Sequence, residues 1–235
     1  MTQMRAFSLV LLGLVCVWAP IVPTNAQKQE ASKIKIPESG VPQIMTMEGK
    51  FVRAAYNNEG YVILGYQLAN RSIGEEWMLL EVGMTLRDDV PDYTLKPDAL
   101  SLQTPDRKTL PLPTISEQRA ANVQALEARE RVQRDSINYF PPGATHACAL
   151  TFFPDLTSRA LPVDEIELTD TRACLGRLYF HIPGGIAYGQ HWLNVKFEKS
   201  LVRVPFRILT EEEEKLLSKN YKAISKQIEE AFKKK

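Results

Sequence analysis

The most regular alternation of apolar and polar residues in the chain lies between Gly60 and Leu86. In its first half every second residue is apolar, at Val62, Leu64, Tyr66 and Leu68. The same period recurs in its second half, at Met78, Leu80, Val82, Met84 and Leu86. A period of two predicts two strands that each bury one face. The polar stretch 70–76 between them predicts a turn, and so short a link joins antiparallel neighbours.

Weaker strand patterns surround this centre and bring the predicted total to about nine. They occupy residues 41–47, 50–56, 146–152, 163–168, 177–182, 193–197 and 202–208. The last two are close enough to form a hairpin. Pro205 falls on the outward parity of the final strand, which predicts that this strand lies at the edge of a sheet.

A different pattern begins at Thr114. Thr114 and Glu117 have the spacing of a capping box, and residues 116–137 contain no glycine or proline. We therefore predict a helix inserted at 114–138. Its apolar stripe is thin and charged residues occupy its other faces, so we expect it on the surface of the sheet domain rather than inside the core.

The final stretch, 210–235, predicts a second helix, because Thr210 and Glu213 repeat the capping-box spacing. Apolar residues recur in it at steps of three and four, at Leu217, Tyr221, Ile224, Ile228 and Phe232. This amphipathic face must cover an apolar surface. The surface is either the sheet domain itself, near Trp77 and Trp192, or another molecule on which the stripe acts as a docking helix.

The order of short strands, with the ANRS and TPDRK turns and the PPG break before a strand ending in Phe152 and Phe153, resembles the immunoglobulin-like domains common in secreted bacterial proteins. The resemblance covers residues 41–209. It implies a mainly β fold, an immunoglobulin-like antiparallel β-sandwich, in which the 114–138 helix is an insertion. It carries no active site to this chain, because such sandwiches serve many functions.

Residues 1–26 have the three zones of a secretory signal peptide: Arg5, an apolar run over 6–22, and small residues at Thr24 and Ala26. Cleavage would leave a mature chain that begins near Gln27, with a flexible leader over 27–40. The alternative is that the apolar run stays as a membrane anchor. We expect an exported protein, periplasmic or extracellular, with no transmembrane span once the signal is removed.

Charge argues against one class of partner. The sequence has 29 basic and 28 acidic residues, and loss of Arg5 with the signal leaves 28 of each. A chain of zero formal charge has no general attraction to nucleic acid or to an anionic membrane.

The number of cysteines is consistent with export. Loss of Cys16 with the signal leaves Cys148 and Cys174, an even number in a chain bound for an oxidising compartment. We predict a disulfide between them, and two separate buried thiols are the alternative.

No motif of catalysis, metal binding or cofactor binding stands out. His146, His181 and His191 lack the spacing of a metal site, although His181 and His191 bracket a loop and could face each other across a hairpin. There is no G-x-S-x-G elbow, and the glycines of 184–189 lack the spacing of a dinucleotide loop. The sequence therefore predicts no catalytic residue, no metal and no cofactor.

Trp77, Tyr179 and Trp192 lie on the outward parity of their strands. If exposed, these aromatic residues form a surface that stacks on sugars or anchors a protein partner. The alternative is that the two helices cover them as a second small core.

Together these features favour an exported, non-enzymatic interaction or structural module that contacts a protein or polysaccharide of the cell envelope. A carbohydrate-binding module that uses the outward aromatic residues is the second hypothesis. A hydrolase whose site is dispersed along the chain is the third.

Overall fold

The computed structural model describes residues 43–121, 123–133, 135–154 and 161–233, with only the backbone of residues 232 and 233. In this part of the chain twelve strands and four α-helices form a mainly β fold, as the alternation of the sequence predicts. The predicted signal peptide, 1–26, and leader, 27–40, lie outside the described residues.

The largest sheet has six strands. In spatial order they are β1 (Ile44–Gly49), β2 (Val52–Tyr56), β3 (Gly60–Gly65), β4 (Trp77–Leu86), β10 (Arg172–His181) and β8 (His146–Leu150). All neighbours are antiparallel except β8 and β10, which run parallel. β4 is buried on both faces, because the chain after the helical insert covers its outer face, where the Phe140 ring lies over Gly83.

Two smaller sheets complete the strands of the described chain. The first contains, in spatial order, β12 (Leu201–Ile208), β11 (Gly189–Lys196), β6 (Leu100–Gln103) and β7 (Thr109–Pro111). The second pairs β5 (Tyr93–Leu95) with β9 (Ile166–Leu168). β12 lies close to β2 and β3, and the buried rings of Phe206 and Tyr66 meet there with centroids 5.2 Å apart. β12 is an edge strand, which confirms the prediction from Pro205.

The first strand of the central stretch ends earlier than its alternation predicts. β3 stops at Gly65, and Gln67–Arg71 form helix α1 where the sequence predicts strand and turn. Oδ2 of Asp135 accepts the N–H of Gln67 at 2.8 Å, which satisfies one of the free donors at the start of this helix. Asp135 lies 68 residues after Gln67 in the chain, so the local alternation of apolar and polar residues gives no indication of this contact.

The insert contains two helices rather than one. Thr114 and Glu117 make the predicted capping box at the start of α2 (Ile115–Ala120), and α3 follows over Gln124–Val132. α3 lies against the outer face of the six-stranded sheet, but much of the side that it buries is polar, at Glu127 and Glu130. The helix therefore packs more closely on the sheet than its thin apolar stripe indicates.

The predicted disulfide is present. Cys148 in β8 and Cys174 in β10 are direct partners in the parallel register, their Cα atoms are 4.1 Å apart, and their sulfur atoms are bonded.

The C-terminal helix α4 (Glu211–Lys233) begins at the second predicted capping box. Oγ1 of Thr210 accepts the N–H of Glu213 at 3.3 Å, and Oε2 of Glu213 accepts the N–H of Thr210 at 3.1 Å. Neither α4 nor any other helix of the described chain combines the length and apolarity that a membrane span requires.

The apolar stripe of α4 lies on the domain itself, along the edge strand β1. Leu217 and Ile228 are buried, while Tyr221 and Ile224 are half-buried. The side chain of Phe232 lies outside the described part of the chain. The location differs from the predicted one, because Trp77 lies three strands away in β4 and Trp192 belongs to the other large sheet.

Candidate functional site

Three loops converge at one end of the two larger sheets. They are residues 72–76 before β4, 104–108 between β6 and β7, and 182–189 between β10 and β11. We call these three loops the loop end. The first and third are joined by backbone hydrogen bonds, from Gly74 N–H to the Ile186 carbonyl at 2.9 Å and from Ile186 N–H to the Glu75 carbonyl at 2.9 Å.

Glycine permits the close approach of these two loops. Gly185 has a φ of 87°, in the left-handed region that non-glycine residues rarely adopt. A Cβ atom at this position would also collide with the backbone of Gly74. The loop end therefore depends on a residue without a side chain at 185.

The 104–108 loop is held by a polar turn. The N–H of Thr104 donates to the Lys108 carbonyl at 3.0 Å, and the Lys108 ammonium lies 2.8 Å from a carboxylate oxygen of Asp106. Hydrogen bonds from Lys108 and Thr104 lower the pKa of Asp106 to about 2. Asp106 and Lys108 are therefore both charged at neutral pH and neutralise each other.

A cavity of about 340 Å³ lies between the 104–108 and 182–189 loops. Its wall is mainly apolar, with Pro105, Leu110, Ile182 and Pro183 among the lining residues. This volume lies within the range of small-ligand pockets.

His191 forms part of the cavity wall and is only 1% exposed. Its Nδ1 lies 3.1 Å from the Gly189 carbonyl, and its ring stacks on Phe206 with centroids 5.4 Å apart. Burial lowers the pKa of His191 to about 4, so the ring is neutral at pH 7. Its Nε2 is buried and has no hydrogen-bond partner among the described residues.

Two apolar side chains of the loop end extend into solvent. Ile73 is 36% exposed and Tyr188 is 51% exposed. Both belong to loops that the backbone hydrogen bonds hold in place, so they are presented to solvent from an ordered support.

The three outward aromatic residues of the sequence do not form one surface. Trp77 and Tyr179 share the outer face of the six-stranded sheet, whereas Trp192 lies in the four-stranded sheet. Tyr179 is fully buried under α3 and Phe153, and Trp192 is 9% exposed with the Arg203 guanidinium 5.1 Å from its ring centroid. An exposed surface of all three is therefore wrong, because α3 covers Tyr179 from a distant part of the chain and Trp192 is buried, with Arg203 of the neighbouring strand beside its ring.

The histidines do not come together either. His181 stacks on Trp77 with ring centroids 5.2 Å apart, and its Nε2 lies 3.7 Å from a carboxylate oxygen of Glu76. β10 and β11 belong to different sheets, so His181 and His191 do not face each other across a hairpin. His146 is exposed at the start of β8. In the described ranges no three ligand-type side chains are grouped as a metal site would require.

A second polar cluster lies under α3. The Tyr179 hydroxyl donates to Oε1 of Glu127 at 3.0 Å, and the Arg177 guanidinium lies 2.6 Å from the Glu130 carboxylate. These buried contacts hold α3 on the six-stranded sheet, so we assign the cluster a structural role.

Two carboxyl groups beside α3 have raised pKa values. Burial raises the pKa of Glu81 to about 7, against the effect of a hydrogen bond from the Asp135 N–H, and the neighbouring Glu130 adds to the rise. Burial also raises the pKa of Asp135 to about 6. Both groups hold a proton more tightly in the folded protein than in the unfolded chain.

We expect Glu81 and Asp135 to make the protein less stable as the pH rises. The folded state holds the Glu81 proton more tightly than the unfolded chain does. The contribution of Glu81 to the free energy of unfolding therefore falls between pH 4.5 and about 7 and is constant outside that window. Glu81→Gln should reduce the loss of unfolding free energy over this pH range by about 2 kcal/mol. Urea denaturation at pH 5 and pH 8 measures the change. Glu198→Gln, at an exposed position, should keep the wild-type dependence.

An equal loss of stability between the two pH values in wild type and Glu81→Gln would show that the Glu81 carboxyl titrates at its ordinary pKa in the folded protein.

Sequence reasoning missed the loop end as a site. The sequence indicates a turn at 104–108, no dinucleotide loop at 184–189 and no metal-site spacing at His191. The only local signal is a polar histidine at an inward position of an apolar strand, between Gly189 and Leu193. The cavity itself depends on two loops that are about 80 residues apart in the chain and meet only in the folded protein.

No family model matches this chain, and comparison with curated proteins and with solved structures finds no match.

Proposed function

We propose that this protein is an exported interaction module that binds a protein of the cell envelope through the loop end, by contact rather than by catalysis. The observation that carries the proposal is the convergence of three loops at one end of the sheets, where the 104–108 and 182–189 loops enclose a cavity and Ile73 and Tyr188 are presented to solvent. Exposed apolar side chains beside a concave site are typical of binding surfaces.

The loop end is well suited to binding because it is held in one arrangement before a partner arrives. Hydrogen bonds join the 72–76 and 182–189 loops, and a bidentate ion pair between Arg129 of α3 and Glu75 supports the first of them, with nitrogen–oxygen distances of 2.7 and 2.6 Å. A preformed surface loses little conformational entropy on binding.

An immunoglobulin-like sandwich is the fold that we propose for the domain, with the parallel β8–β10 pair and the helical insert as departures from the plain pattern. Such domains cluster their loops at the two ends of the sheets, where binding sites form. The predicted disulfide and signal peptide support export.

A polysaccharide partner is the second candidate, and Tyr188 is the observation that favours it. Its side chain is 51% exposed one residue after Ala187 of the cavity wall, and it offers a platform on which a sugar ring can stack. Trp77, half-buried against His181, also keeps some accessible surface.

Photo-crosslinking from the loop end tests the proposal. A photoreactive phenylalanine analogue at Tyr188 should give one defined protein adduct after irradiation in a cell-envelope extract. The matched control carries the analogue at Leu201, which is 38% exposed at the opposite end of β12. We expect no adduct from Leu201.

An adduct from Leu201 without one from Tyr188 would contradict the loop end as the contact surface. Retention on insoluble polysaccharide that Tyr188→Ser abolishes, with no protein adduct, would select the second candidate instead.

A further inference from the structure

The protonation of His191 follows from its surroundings. The Gly189 carbonyl can only accept a hydrogen bond, so the Nδ1 atom 3.1 Å from it carries the proton. In a neutral imidazole the other nitrogen, Nε2, then has a lone pair and acts as an acceptor. The stacked Phe206 ring holds the imidazole in this orientation.

This acceptor is unsatisfied within the described chain. Nε2 of His191 is buried and receives no hydrogen bond from any described residue, and a buried polar atom without a partner is costly. Native proteins rarely keep such an atom without a reason. A ligand group that donates to Nε2 would remove the cost.

The remainder of the cavity limits the chemistry of that ligand. Pro105, Leu110, Ile182 and Pro183 form an apolar wall, which favours an apolar body. The two charged residues of the wall, Asp106 and Lys108, form an ion pair with each other, so the cavity has no net charge to offer. An uncharged ligand therefore fits it best.

We propose that the cavity of the loop end binds a small, uncharged group with an apolar body and one hydroxyl or N–H that donates a hydrogen bond to Nε2 of His191. This inference rests on the proposed function and specifies the part of the partner that enters the cavity. His191 is the residue that selects the ligand, because an analogue without a donor leaves Nε2 unsatisfied.

A matched pair of probes tests the selection. Benzyl alcohol and benzyl methyl ether have the same aromatic body, but only the alcohol has a donor. We expect the alcohol to bind about tenfold more tightly, as one hydrogen bond of ordinary strength provides. The measurement is a titration followed by nuclear magnetic resonance of the methyl groups of Leu110 and Ile182 and of the imidazole nitrogens of His191.

The His191→Phe variant keeps an aromatic ring at the position next to Phe206 and removes the acceptor. It should bind both probes equally, whereas His146→Phe, at an exposed position in β8, should keep the preference for the alcohol. The comparison of the two probes on the wild-type protein needs no variant, so it stands even if His191→Phe folds poorly.

Equal binding of the two probes by the wild-type protein would overturn the role of His191 and leave the loop end as the proposed binding surface. If neither probe shifts the resonances of Leu110 and Ile182, the cavity does not take ligands of this class and the inference is wrong. Photo-crosslinking from Tyr188 tests the proposed function independently of these probes.

Discussion

Leu217→Asp is expected to lower the free energy of unfolding by about 3 to 5 kcal/mol, which corresponds to a decrease in Tm of at least about 6 °C for a domain of this size. Leu217 is 8% exposed on the face of α4 that packs on β1, so the new carboxylate would be buried at a position that normally holds an apolar side chain. Urea denaturation of the purified protein measures the loss.

The adjacent residue supplies a matched control. Leu216 is 60% exposed on the solvent side of the same helix, so Leu216→Asp should change the stability by less than about 0.5 kcal/mol. If both variants unfold like the wild type, α4 does not stabilise the isolated domain, and its stripe becomes a docking helix for another molecule.

The large effect expected at Leu217 reflects what α4 does for the sheet. The Tyr221 hydroxyl donates to the Met47 carbonyl of β1 at 2.9 Å, and Lys50 forms an ion pair with Glu214 at 2.6 Å. The helix thus covers an edge strand, and exposed edges are sites of unwanted pairing between molecules. Loss of α4 should therefore promote aggregation as well as unfolding.

Removal of the disulfide is expected to cost about 3 kcal/mol, because the bond closes a loop between positions 26 residues apart and restricts the unfolded chain. This corresponds to a decrease in Tm of about 6 to 12 °C. Thermal melts with and without dithiothreitol measure it. The double variant Cys148→Ala, Cys174→Ala should melt like the reduced wild type and should not respond to the reductant.

Thiol titration of the unfolded, unreduced chain from Gln27 onward checks the bond itself. We expect no free cysteine. Two free thiols, together with a Tm that dithiothreitol leaves unchanged, would show that the bond does not form in solution.

The sequence alone determined the features that depend on neighbouring residues. The capping boxes at Thr114 and Thr210 lie where the spacing predicts them, and Pro205 lies in an edge strand. The two cysteines that remain once the predicted signal peptide is removed led to the prediction of the bond between Cys148 and Cys174. Helix caps, strand periods and proline geometry involve atoms within a few residues of each other, so these features can be inferred from a short stretch of sequence.

Tertiary structure alone decided what covers each surface. The period of β10 places Tyr179 outward, but α3 buries it from a segment about 50 residues away in the chain. The Asp135 carboxylate accepts a hydrogen bond from the first residue of α1, where the alternation predicts strand. The cavity at His191 exists only because loops from both large sheets meet. A period shows which side chains share a face, but it does not show which distant element lies on that face, because that choice depends on packing across the whole fold.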